Sequence, residues 1–195
     1  MMRYVLGLAL IVVGFVSCTP MSRVITDPSE RLTKVSGVSV LPPQEPDWHL
    51  VALTQTFLGL AKRSQTDGEV YGARVGLYEL PDLTTEQDLL KFFSDAHVAN
   101  VPEPQTRTRS LTREENPVRS RGAMCIHYHE VTEDHEVLGA FMILEEFGYL
   151  CQHPKNKRIG VRMEYSHHHL QGRYNEPGLE TKAKAFLDHV QFTDF

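Results

Sequence analysis

Cysteine is scarce, tryptophan scarcer, and no hydrophobic run is long enough to cross a bilayer. Three cysteines and one tryptophan occur in 195 residues, too few cysteines for the dense disulfide framework of a small secreted scaffold. The longest uncharged apolar stretch, Tyr4 to Val16, has thirteen residues, whereas a transmembrane helix needs about 20. A basic excess is missing too: the formal net charge is −5, which argues against a nucleic-acid partner because such a partner wants a basic surface. Catalytic signatures are equally sparse. The chain has no glycine-x-serine-x-glycine elbow, no phosphate loop and no His-Glu-x-x-His zinc helix, so catalysis has no positive support. Repeats and low-complexity tracts are absent, and 23% charged with 41% hydrophobic residues is a globular balance rather than a disordered one.

What is present begins with the first eighteen residues. Arg3 precedes the Tyr4–Val16 run and Ser17-Cys18 follows it, the pattern of a secretory signal peptide. Phe15-Val16-Ser17-Cys18 resembles the lipobox of bacterial lipoproteins, an apolar residue at −3 and a small one at −1 before an obligatory cysteine; Phe15 stands where Leu is usual. The resemblance implies that residues 1–17 are removed and that Cys18 is acylated, anchoring the protein in a lipid bilayer. With Thr19 rather than Asp after the cysteine, it also implies outer-membrane sorting, facing the periplasm, in a host with two membranes. An ordinary cleaved signal or an uncleaved anchor would still export the domain. Losing residues 1–17 leaves 178 residues and, with Arg3 gone, takes the charge from −5 to −6. That length suits a single domain with a real core.

With Cys18 acylated, Cys125 and Cys151 are left as an even pair in an oxidising compartment. A bridge between them closes a loop of about 27 residues, worth roughly 3 kcal/mol in the chain-entropy model; the alternative is two buried free thiols. The bridge also constrains a hairpin. A tight turn at Asp134-His135-Glu136 would set Cys151 roughly 20 Å out of register at about 3.3 Å per residue, beyond the ~7 Å that a disulfide tolerates. The bridged register instead centres the turn near residue 138, with Glu133 to Phe141 as a broad loop.

Read in order, residues 18–35 form a polar tether and residues 36–195 a single globular domain. Ser36 to Leu41 alternates as a short strand. Trp48 to Ser64 is rich in β-formers and splits near Gln55, and Val70 to Leu80 follows the turn signal Thr66-Asp67-Gly68-Glu69. Connections this short require antiparallel hairpins. Past Pro81 the period changes: Thr84 with Gln87 predicts a capping box, and Leu89, Leu90, Phe93 and Ala96 share a helical face from Thr85 to Val98. Thr106 to Leu111 reads as an exposed edge strand. Five arginines (Arg107, Arg109, Arg113, Arg119, Arg121) form either a basic patch for lipid headgroups or an acidic wall polymer, or simply a solvated edge that discourages aggregation. Ala123 to Thr132, Met142 to Cys151 and Ile159 to Ser166 read as long strands, the last two joined by the polar turn 152–158. Gly178 to Val190 closes the chain as a second helix.

Histidine is the unusual component, with eight of the ten after Cys125. His127 and His129 share a strand face, as do His167 and His169, so a zinc site built from these four is feasible where their strands neighbour. His127-Tyr128-His129 with Glu133 is similar to the first metal motif of the cupins, but the second motif is missing. Cys151-Gln152-His153-Pro154 is similar to a Cys-x-His-Pro segment of uncharacterised bacterial envelope lipoproteins, which implies a compartment and no activity. The expected fold is α+β, a twisted, mainly antiparallel sheet with two helices packed on it. Its element order resembles that of the extrinsic P subunit of photosystem II and its relatives. The expected role is a membrane-anchored periplasmic binding or assembly module with an envelope-protein or cell-wall partner; the alternative is a His-dependent metal-binding protein or metalloenzyme.

Overall fold

The computed structural model of the chain describes residues 23–25, 27–66, 68–100, 108–137, 140–172 and 176–195; the leader, Cys18 and the start of the tether lie outside them. The elements run β1 (Arg23–Val24), β2 (Val38–Val40), β3 (His49–Leu53), β4 (Phe57–Arg63), β5 (Val70–Glu79), α1 (Glu86–Asn100), β6 (Thr108–Ser120), β7 (Ala123–Val137), β8 (Ala140–His153), β9 (Asn156–Leu170), α2 (Leu179–Asp188) and β10 (Val190–Phe192). The fold is α+β, as the element order predicts.

Local chemistry sets most boundaries. The β-rich run divides where Thr54 Oγ1 accepts the backbone N–H groups of Thr56 (3.2 Å) and Phe57 (2.9 Å), closing a hydroxyl-stabilised turn between β3 and β4. The α1 capping box forms one residue later than Thr84 and Gln87 predict. Thr85 Oγ1 accepts the Asp88 N–H at 3.1 Å while an Asp88 carboxylate oxygen accepts the Thr85 N–H at 2.9 Å. Aspartate has the shorter reach and the charge that suits a helix start. Pro117 sits within β6, which is tolerated because β6 pairs on one side only.

Strands β3–β4–β5 and β6–β7–β8–β9 are two antiparallel meanders, and β9 pairs antiparallel with β5 to fuse them into the order β1-β3-β4-β5-β9-β8-β7-β6. Helix α2 covers one face, packing on β8 and β9, and α1 covers part of the other, over β6 and β7. The main core lies under α2. Val75, Met163, Tyr165 and the two cysteines meet Leu179, Ala183, Phe186 and Leu187 there, with Trp48 buried edge-on against Tyr165 at 5.7 Å. A smaller cluster of Leu80, Ile126, Tyr128 and Leu150 holds α1 through Leu89 and Phe93. Among the described residues no helix is long and apolar enough to cross a membrane.

Cys125 and Cys151 form a disulfide. They are directly opposed on β7 and β8, their Cα atoms 4.0 Å apart, so the bridged register is the one adopted. The broad loop expected over 133–141 is absent: Val137 already pairs with Ala140, although the register is irregular between Asp134 and Val137. Likewise the seven-residue turn expected at 152–158 shrinks to Pro154-Lys155, because His153 pairs with Asn156. Its imidazole, fully buried, bonds the Gly37 carbonyl at 2.9 Å and lies between Phe192 and Phe195. The Cys-x-His-Pro segment is therefore a structural latch. The folded body also begins before residue 36, since Arg23–Val24 pairs with β3, Leu32 bridges Val40, and Val35 is buried. Val190, expected as the last residue of the second helix, instead opens β10, which pairs with β2.

Candidate functional site

Four of the histidines singled out by sequence share one sheet face, but β8 separates them. His127 and His129 are on β7, His167 and His169 on β9, and strands two apart lie about 10 Å from each other. Each pair is packed with aromatic rings. Register sets Tyr149 opposite His127 and Phe147 opposite His129; the His129 and Phe147 rings stack at 4.2 Å, and His127 meets Tyr149 at 4.9 Å. His167 stacks on Tyr71 at 4.5 Å and on His169 at 5.0 Å. Among the described residues no group of three or more His, Cys, Asp or Glu side chains is arranged to hold a metal ion.

Glu145 on β8 connects the two pairs. Its carboxylate lies 2.9 Å from His129 Nε2, and its backbone pairs with His167. Beyond His167, the Tyr71 hydroxyl donates to Glu176, which also accepts from Lys182. Burial opposes ionisation of Glu176, but these two donors hold its carboxyl below the usual range, while burial and Glu176 together push the Tyr71 phenol up. A polar row thus crosses the sheet beneath the start of α2.

A cleft of about 400 Å³ opens over this row, lined by Glu114, His127, His129, Glu145, Phe147, Glu176, Gly178, Leu179 and Glu180. Four carboxylates and two imidazoles surround the Phe147 ring, and no lysine or arginine is among the lining residues. Glu176 and Glu180 also offset the positive end of α2. Burial holds the His127 imidazole below its ordinary value, with His129 adding to the effect against Glu180 and Glu114. His127 is therefore neutral at pH 7 and the cleft is net acidic.

Sequence reading found the histidines and missed Glu114, Glu145, Phe147, Glu176 and Glu180. Counting along β7 and β8 from the Cys125–Cys151 pair points to Phe147 and Glu145; nothing local marks the glutamates from β6 and the α2 start. The arginine patch is largely committed elsewhere. Arg113 pairs with Glu115 and Glu130, Arg119 with Glu86 at 2.9 Å, and Arg121 with the Leu187 carbonyl and Asp188. Arg107 lies outside the described residues.

His167 is 1% exposed, and neither ring nitrogen has a hydrogen-bond partner; the Glu69 carboxylate is 3.9 Å away. Burial, reinforced by His169, lowers its pKa. The unfolded chain therefore binds its proton at higher pH than the folded chain does, so stability falls as pH drops below about 6.5. Replacing His167 with phenylalanine keeps the stack and removes two unsatisfied nitrogens. Thermal melts of H167F should match or exceed wild type at pH 7 and exceed it clearly at pH 5; an equal pH 7-to-5 loss in both proteins would refute this. The chain matches no protein-family model and no curated protein sequence.

Proposed function

We propose that this protein is an envelope lipoprotein, anchored through acylated Cys18, whose domain binds a cationic group of a partner in the cleft beneath α2. The observation that carries the binding reading is the lining itself: four carboxylates, of which Glu176 already holds Lys182, beside an aromatic floor, with no lysine or arginine among the lining residues. Such a cleft suits the ammonium or guanidinium group of a lysine or arginine, attracted by the carboxylates. The buried disulfide supports export to an oxidising compartment, as the leader does. The polar groups are already tied to one another, His129 to Glu145 and Tyr71 to Glu176, which supports recognition over proton transfer.

A second reading keeps His127 and His129 as ligands for a zinc ion, because both line the same cleft beside Glu114 and Glu145. Titration calorimetry separates the two. An arginine-containing peptide should bind the wild-type protein, and the E145Q/E180Q variant should bind it about tenfold more weakly, the loss of roughly 1.4 kcal/mol expected from removing charge-assisted contacts. Equal affinity for both proteins would overturn the cleft assignment. Stoichiometric zinc uptake abolished by H127A/H129A would establish the second reading instead.

A further inference from the structure

The sheet face opposite α2 is only half covered. Helix α1 packs there on β6 and β7, and among the described residues no helix packs on the β1-β3-β4-β5 half. Four of the seven exposed large apolar side chains among the described residues lie on that half: Val24 (46% exposed), Val51 (41%), Phe57 (38%) and Val70 (37%). Register places them on one face. Val24 pairs with His49, which pairs with Ala61 and, through it, with Gly72; Phe57 pairs with Gly76, two rows along β5 from Gly72, and Val70 lies one row to the other side. Val51, at the β3 irregularity, turns its side chain over Gly59 beside the Phe57 ring. The side chains stand on a floor of Gly59, Gly72 and Gly76, spanning about 20 Å along the strands and about 15 Å across them. Arg63 is exposed beside Val70, while next to Phe57 the half-exposed Arg74 pairs with Glu146 and Glu164 and the half-exposed Arg162 with Glu164.

We infer that this half-face docks on the surface of the phospholipid bilayer that holds Cys18, an inference that rests on the acylation reading above. Chain length carries it. Folded structure is described from Arg23, and Val24, itself in the patch, is six residues from Cys18. Six residues span at most about 21 Å, so an acylated Cys18 keeps this edge of the sheet at the membrane. Side chains such as Phe57 and Val51 then enter the headgroup layer, where apolar area and basic residues act together. The exposed Arg63 guanidinium meets lipid phosphates. The opposite edge, β6, lies about 30 Å away across the sheet, which makes Leu111, 43% exposed there, the natural control.

The test uses the full-length protein, matured and acylated in a bacterial host, in vesicles of phosphatidylethanolamine and phosphatidylglycerol. A polarity-sensitive fluorophore is placed at F57C, V51C or L111C, and quenching by a nitroxide lipid is measured with intact mass as a separate readout. Labels at 57 and 51 should be quenched several-fold more strongly than the label at 111. Equal quenching at all three positions, with an acyl chain on Cys18, overturns the docking face alone. Protection of positions 57 and 51 that depends on protein concentration without lipid would also overturn it, naming a second copy of the chain as the occupant. Absence of an acyl chain would overturn the anchor reading and the docking face with it.

Discussion

Gly148→Ala is expected to destabilise the domain by about 3 kcal/mol, the upper part of the range for overpacking a well-filled interior, and to lower the melting temperature by about 6–12 °C. A Cβ at Gly148 would lie 2.4 Å from Tyr128 Cζ and 2.5 Å from its hydroxyl. Both positions are directly paired on β7 and β8, and the Tyr128 ring crosses the glycine to reach Glu164, 2.9 Å from its hydroxyl. Moving the ring would break that bond and the Arg162 bond to the same oxygen at 3.1 Å, and would disturb the Phe93 contact at 5.1 Å that helps seat α1. Tyr128 is fully buried, so it has no empty space to move into. A double-mutant cycle tests the cause. In a Tyr128→Ala background the glycine substitution should cost at least 1 kcal/mol less; an equal cost in both backgrounds would show that the tyrosine is not what the new methyl meets.

Removing the disulfide should have a comparable effect by a different route. The C125A/C151A protein is expected to lose about 3 kcal/mol, because the bridge closes a loop of some 27 residues in the unfolded chain. Its native register should persist, since the flanking pairs Ile126–Leu150 and His127–Tyr149 do not depend on sulfur. The denaturant slope should rise as the unfolded chain expands. Urea titrations of the oxidised protein and the variant decide the matter. A stability difference under 0.5 kcal/mol with equal slopes would mean that the bridge does not restrict the unfolded ensemble.

The same cysteine pair shows how far the sequence could be read. Once Cys125 was set against Cys151, the register of β7 on β8 followed, and with it the stacking of His129 on Phe147. The hairpin limits at 48–64 and 70–80 were legible because turn chemistry punctuates them. Of the three shortest strands, β2 was marked by the alternation over Ser36 to Leu41, whereas β1 and β10 were not legible: each exists because a partner strand, β3 or β2, offers it an edge. Sequence parity placed the four histidines on one face of their strands, but it could not reveal that β8 lies between the pairs. That arrangement follows from the two consecutive hairpins β7–β8 and β8–β9; what no local pattern marks is β9 turning back to meet β5, a contact between residues almost a hundred positions apart such as Val70 and His168. The cleft was illegible for the same reason, since Glu114, Glu145 and Glu180 come from three separate elements.

The proposed acylation of Cys18 is the premise both of the docking face and of the envelope role proposed for the cleft. Intact mass spectrometry of the protein purified from the membranes of a bacterial host tests that claim most directly. The account predicts a chain beginning at Cys18 and carrying lipid on that residue, and a C18A variant recovered without lipid in the soluble fraction. A wild-type chain that retains Met1, or starts at a different residue without lipid, would contradict it.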